Sequence, residues 1–135
     1  MSGGTARAAL AYTGAVFATG FALGVLRALV VAPRTGEATA ILIEVPLMLA
    51  ASLVAARWAV TRWAVPARPG PRLAMGGLAF LLLMAAEIAL STFGFGRSLE
   101  AHFAHLVRPE ALPGLAAQIA FAAMPALLIL GRRAP

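Results

Sequence analysis

Four long apolar runs, separated by short breaks rich in Pro, Gly and Arg, constrain this chain more than any other feature. They extend from about Ala8 to Val31, Ala38 to Val60, Leu73 to Phe93 and Ala111 to Leu130. Each is about 17 to 24 residues long, the length a helix needs to cross a hydrocarbon core of about 30 Å. The runs do not alternate in polarity and are dominated by Ala and Leu, so helices are expected and not the strands of a β-barrel. Composition agrees: 61% of residues are hydrophobic, 12% are charged and the mean hydropathy is +0.90. A soluble domain would be about half apolar and about a quarter charged. The expected fold is therefore an all-α, four-transmembrane-helix bundle forming a single transmembrane domain over residues 1–135.

Several function classes are excluded at once. Without cysteine there is no disulfide, thiolate metal site or cysteine nucleophile. The net charge of +6 comes from eleven arginines against five glutamates, Lys and Asp being absent. Basic residues in cytoplasmic loops account for such a charge in a membrane protein, so no nucleic-acid partner is expected. Met1 to Arg7 is small and polar and leads straight into the first apolar run. No clean cleavage site follows, and the segment reads as a retained helix and not a removed signal.

The breaks carry the topology. Ala32 to Gly36 reads as a tight turn, stopped by Pro33 and Gly36. Thr61 to Arg72 reads as a linker, because Pro66, Pro69, Gly70 and Pro71 oppose a continuous helix. Between the third and fourth runs, Ser98 is placed to cap a short helix through Val107. Leu99, Phe103, Leu106 and Val107 would share one side of it, the pattern of a helix lying at a membrane interface. Four spans put the N-terminus, the Thr61–Arg72 linker and the C-terminus on one side. That side carries Arg7, Arg57, Arg62, Arg68, Arg72, Arg132 and Arg133 with no acid. The other carries Arg27, Arg34, Arg97 and Arg108 against Glu37, Glu100 and Glu110. The positive-inside rule then expects both termini to be cytoplasmic, in a bacterial inner membrane.

Depth arithmetic selects the candidate site. Arg27 lies near the far end of the first span, Glu44 near the start of the second, Glu87 near the end of the third and Gln118 near the start of the fourth. All four fall roughly 6 to 10 Å below the same membrane boundary at about 1.5 Å per residue. Charged groups in hydrocarbon face the bundle interior and find partners. Arg27, with five donors, is expected to serve both Glu44 and Glu87, while Gln118 donates to a remaining carboxylate oxygen. Gly20 and Gly24 form a G-x-x-x-G one turn before Arg27, which suggests close helix packing beside the layer. Pro125, inside the fourth span, should leave the carbonyl of Phe121 without its helical donor.

Other chemistry lacks its parts. His102 and His105 are the only candidates for metal, and no third ligand stands near them, so neither metal nor cofactor is expected. Ser52 and Ser91 have no histidine base close in sequence, and no catalytic motif is present. The function class expected is non-enzymatic. The first reading is a structural or accessory protein, contacting membrane lipids and either copies of itself or a larger membrane complex. The second is an oligomeric small transporter or channel using the Arg27, Glu44, Glu87 and Gln118 layer.

Overall fold

A computed structural model describes residues 1–132, so Arg133 of the basic C-terminal pair lies outside the described residues. Helix α1 covers Gly3–Leu26 and runs through a π-turn at Arg27–Val31 into a single α-turn, α2, at Ala32–Thr35. Helix α3 covers Glu37–Arg62 and α4 Pro69–Ala89, the latter ending in a second π-turn at Leu90–Gly94. The short α5 spans Leu99–Leu106, a 3-10 turn spans Pro109–Ala111, and α6 spans Leu112–Arg132. Four of these helical stretches are long and apolar enough to cross a membrane. Among the described residues there is no strand.

Two breaks differ from the expectation, and both differences come from proline. Pro33 does not stop the first helical stretch, which runs on from the π-turn at Arg27–Val31 through Pro33 to Thr35. Gly36 alone turns the chain, at φ 87° and ψ 159°, a conformation that residues with a Cβ avoid. Pro69 and Pro71 likewise do not exclude a helix but open α4. The third helix therefore begins before Leu73 and takes in Arg72. Ser98 caps α5 as the sequence suggests, its hydroxyl accepting from the Ala101 N–H at 3.1 Å.

The long helices pack as a square in the order α1, α3, α6, α4 and back to α1. Small residues let them approach: Ala8 and Ala9 of α1, Ala55, Ala56 and Ala59 of α3, and Ala79 of α4 are all buried. Gly76 of α4 faces the backbone of Ala122 in α6 so closely that a Cβ would collide with the Ala122 carbonyl. This is the tight glycine contact of the bundle. A Cβ on Gly20 would meet only the tip of Met48, at 3.3 Å, and one on Gly24 would meet open space. The G-x-x-x-G pair thus thins the wall of α1 more than it draws a neighbouring helix in.

Burial is unequal along the bundle. The buried residues of α1 end at Val16 and those of α4 at Leu83, while those of α3, apart from Ala40, begin at Ser52. All of these lie toward the end that carries the N-terminus and the loop between α3 and α4. Trp58 and Trp63 also mark that end, edge to face at 5.5 Å, with the Arg62 guanidinium 5.1 Å above the Trp63 ring. The opposite half is splayed, and the polar layer lies there.

Candidate functional site

The polar residues resolve into two couples, each within one helical hairpin. Arg27, at the first position of the π-turn after α1, donates from Nη1 to Glu44 Oε2 of α3 at 2.5 Å. Its Nε lies 4.0 Å from Glu37 Oε1, the first residue of α3. In the other hairpin, Gln118 of α6 donates from Nε2 to Glu87 Oε1 of α4 at 2.6 Å. The expected sharing of Arg27 between Glu44 and Glu87 is not what forms: Glu37 and Glu44 occupy the guanidinium, and Glu87 is held by an amide. Equal depth allows either pairing. The rotation of α1 turns Arg27 toward its hairpin partner.

Between the couples lies a cavity of about 700 Å³. Its floor is made by Val16, Leu83 and Phe121 of the core, and Phe121 stacks on Tyr12 with ring centroids 4.3 Å apart. Its walls include Phe17, Phe21, Gly20, Gly24 and Met48. Both polar couples line it, together with Ser52, Ser91, Glu37, Arg97, His102 and His105. A cavity of this size and largely apolar lining, with a few convergent polar groups, has the form of a small-molecule site. Both π-turns border it, one bearing Arg27 and the other Ser91; such turns widen a helix and recur at functional positions.

Two buried polar atoms of residues lining the cavity are unsatisfied. Ser91 Oγ and Gln118 Oε1 have no hydrogen-bond partner, and Ser91 is 5% exposed. Ser91 follows Glu87 by one helical turn, so the signal is present in the spacing, but it is hidden when serine is considered only as a nucleophile. Helix α5 covers one side of the cavity mouth. Leu99, Phe103 and Val107 point outward from it, whereas His102, His105 and Leu106 turn toward the cavity. His102 is buried and its ring meets Phe103 edge to face. Partial burial, then the positive charge of Arg97 and Arg108, holds the His105 imidazole below its ordinary pKa. Among the described residues no three of His, Cys, Asp or Glu come together as metal ligands.

A second polar cluster lies beneath the floor, of which only the carbonyl of Phe121 released by Pro125 is expected from the sequence. Arg72 is 2% exposed and donates to the carbonyls of Pro66 at 3.2 Å, Pro125 at 2.9 Å and Val65 at 3.4 Å. It is a bolt between the α3–α4 loop and α6, and not one of the solvated linker charges counted from sequence. Tyr12 donates its hydroxyl to the carbonyl of Phe121 at 2.7 Å, the acceptor that Pro125 releases. Thr13 ties α1 to α4 through the carbonyl of Ala79 at 3.2 Å. Together these bonds fix the helices at the closed end, against which the splayed end is held open.

Compared with protein families, curated proteins and solved structures, the chain has no match.

Proposed function

We propose that this chain is a multi-pass protein of a bacterial inner membrane that binds a small amphiphilic molecule in the cavity between its two polar couples. The observation that carries this reading is the cavity itself: about 700 Å³, apolar in its walls, with Arg27–Glu44 on one side and Gln118–Glu87 on the other. A bundle kept only for scaffolding gains nothing from such a gap, because each unfilled volume forfeits dispersion contacts. An amphiphile replaces those contacts with its apolar body and places its head among the charges. Both termini lie in the cytoplasm, as the six arginines of the terminal side besides the buried Arg72 argue, and the cavity therefore opens toward the outer face. Helix α5 lies in that interface with Leu99, Phe103 and Val107 toward lipid.

Movement of the ligand across the membrane would require the Tyr12–Phe121 floor to open. A single four-helix bundle is too slender for a wide aqueous path, so transport would proceed from an oligomer. The rival reading, a structural or accessory subunit of a membrane complex, leaves the cavity to bulk lipid. The test is native mass spectrometry and solvent extraction of the purified chain, beside a Gly24→Leu variant that fills the cavity from a position with open space around it. A discrete small amphiphile that copurifies with the wild type and is lost from the variant supports the binding reading. Only bulk phospholipid, equal in both, favours the accessory reading.

A further inference from the structure

We propose that the head of the bound molecule is a primary ammonium, docked on Glu87, Gln118 and Ser91. This rests on the binding reading above and adds the chemical class of its ligand.

The pairing of the charged groups around the cavity points to a cationic head. Its lining carries three carboxylates, Glu37, Glu44 and Glu87, against two guanidiniums, Arg27 and Arg97, with His102 and His105 also facing in. Arg27 is engaged by Glu44 and Glu37. Glu87 is the carboxylate without a cation, since its hydrogen bond comes from the amide of Gln118. A cationic head beside Glu87 would favour its carboxylate form as Arg27 does for Glu44, whereas an anionic head would oppose it.

The hydrogen-bonding inventory narrows the cation further. Gln118 commits a donor to Glu87, which leaves its own carbonyl oxygen as an unused acceptor, buried and without a partner. The Ser91 hydroxyl, on the turn that follows Glu87, is likewise buried without a partner and can accept as well as donate. Glu87, Gln118 and Ser91 all line one cavity; the carboxylate and the amide oxygen only accept, and the hydroxyl can accept as well as donate. An –NH₃⁺ group brings three, whereas a quaternary ammonium brings charge and none. Buried acceptors left unmatched are costly, which is what makes such a site discriminate.

The walls fit the remainder of the molecule. Phe17, Phe21, Phe95 and Phe121 line the cavity, and aromatic faces attract organic cations while accommodating an apolar body. A bare metal ion has no use for that volume, and a hard cation takes six or so oxygens where this corner supplies three side chains.

The experiment uses the full chain in lipid nanodiscs and four probes of matched shape: 4-phenylbutylamine, its trimethylammonium analogue, 4-phenylbutanol and 4-phenylbutyrate. Binding is read by calorimetry in the wild type, Glu87→Gln, Ser91→Ala and Gly24→Leu. The amine should bind most tightly, the quaternary analogue and the alcohol more weakly, and the carboxylate least. Glu87→Gln should weaken the amine roughly 10- to 100-fold, the loss of a charge-assisted hydrogen bond, and leave the alcohol unchanged. Ser91→Ala should weaken the amine but not the quaternary analogue, a readout that survives if Glu87→Gln folds poorly. Amine and alcohol binding alike, both lost in Gly24→Leu, would overturn the ammonium assignment while the cavity keeps its role. No probe binding in the wild type would overturn both. Stabilisation by sodium over choline that depends on Glu87 and Ser91, with amine and alcohol equal, would replace the amine with a metal ion.

Discussion

The hydroxyl of Tyr12 in α1 donates to the backbone carbonyl of Phe121 in α6, and it does so because Pro125, four residues on, has no N–H to offer. One side chain from the first helix thus repairs the hydrogen-bond ladder of the last. In hydrocarbon no water is available to do the same. The two rings also stack, so a single residue pair both satisfies the proline break and forms the floor of the cavity.

Tyr12→Phe should therefore lower stability by about 1 to 2 kcal/mol, the contribution of one buried hydrogen bond with the ring retained. In a Pro125→Ala background the substituted residue supplies the missing backbone N–H, and the same Tyr12→Phe change should lose at least half of its effect. Reversible unfolding in mixed micelles reads the coupling. Equal penalties in both backgrounds would separate Tyr12 from the proline.

Arg72 makes a parallel prediction at the other edge of the closed end. It contacts three carbonyls contributed by the α3–α4 loop and α6. Arg72→Leu should cost about 3 to 5 kcal/mol, since several buried acceptors lose a charged donor together. Arg72→Lys should recover little, because an ammonium cannot span acceptors placed for a planar fork. Substituting Arg57, Arg62 and Arg68 together should instead disturb membrane orientation while leaving the melting of correctly inserted protein nearly unchanged. Melting curves and topology reporters distinguish the two effects.

The apolar runs make the four helices legible, because span length and composition are properties of contiguous sequence. The depth of Arg27, Glu44, Glu87 and Gln118 is legible for the same reason, since rise per residue fixes it. Their pairing is not. Whether Arg27 meets Glu44 or Glu87 depends on the rotation of α1 about its axis, which a nearly all-apolar helix does not announce. Arg72 reads as a linker charge because Pro69 and Pro71 look like breakers, although the first turn of a helix tolerates them. The cavity itself is not legible: Gly20, Gly24 and Ser91 mark parts of its wall, but the gap between the helices is a property of their packing.

The two separate couples predict a pattern of coupling. Arg27→Leu should destabilise by roughly 1 to 3 kcal/mol, less than for a fully buried pair because the Arg27 side chain is 31% exposed. Replacing Glu44 with Leu as well should recover part of that loss. Arg27→Leu and Glu87→Leu should be additive, since the residues belong to different couples. Double-mutant cycles by thermal melting in detergent decide the matter, and coupling of Arg27 to Glu87 above that to Glu44 would contradict the observed geometry.

His105 gives a pH prediction at the cavity mouth. Partial burial together with Arg97 and Arg108 disfavours its protonated form, so its folded pKa lies below the ordinary 6.5. A base with a depressed folded pKa takes up its proton more readily in the unfolded chain. Its contribution is intact above pH 6.5 and is lost as pH falls through the folded value. NMR titration of the imidazole should show a midpoint below 6.5, moving upward in Arg97→Gln. A midpoint at or above 6.5 in the wild type would mean that the α5 region is more solvated than described.

The most direct test of the central claim, a cavity open to the outer face of a four-span bundle, exploits the absence of cysteine from the chain. Cysteine placed at Gly24 lies on the cavity wall with open space around it; cysteine placed at Leu42 lies nearer the outer end of the bundle but on the outward surface of α3. A membrane-impermeant maleimide is added to intact cells expressing either variant. Thiolate forms only where water reaches, so Gly24→Cys should label from outside and Leu42→Cys should not. Equal labelling of the two, or labelling of Gly24→Cys only after the cytoplasmic face is exposed, would contradict the account.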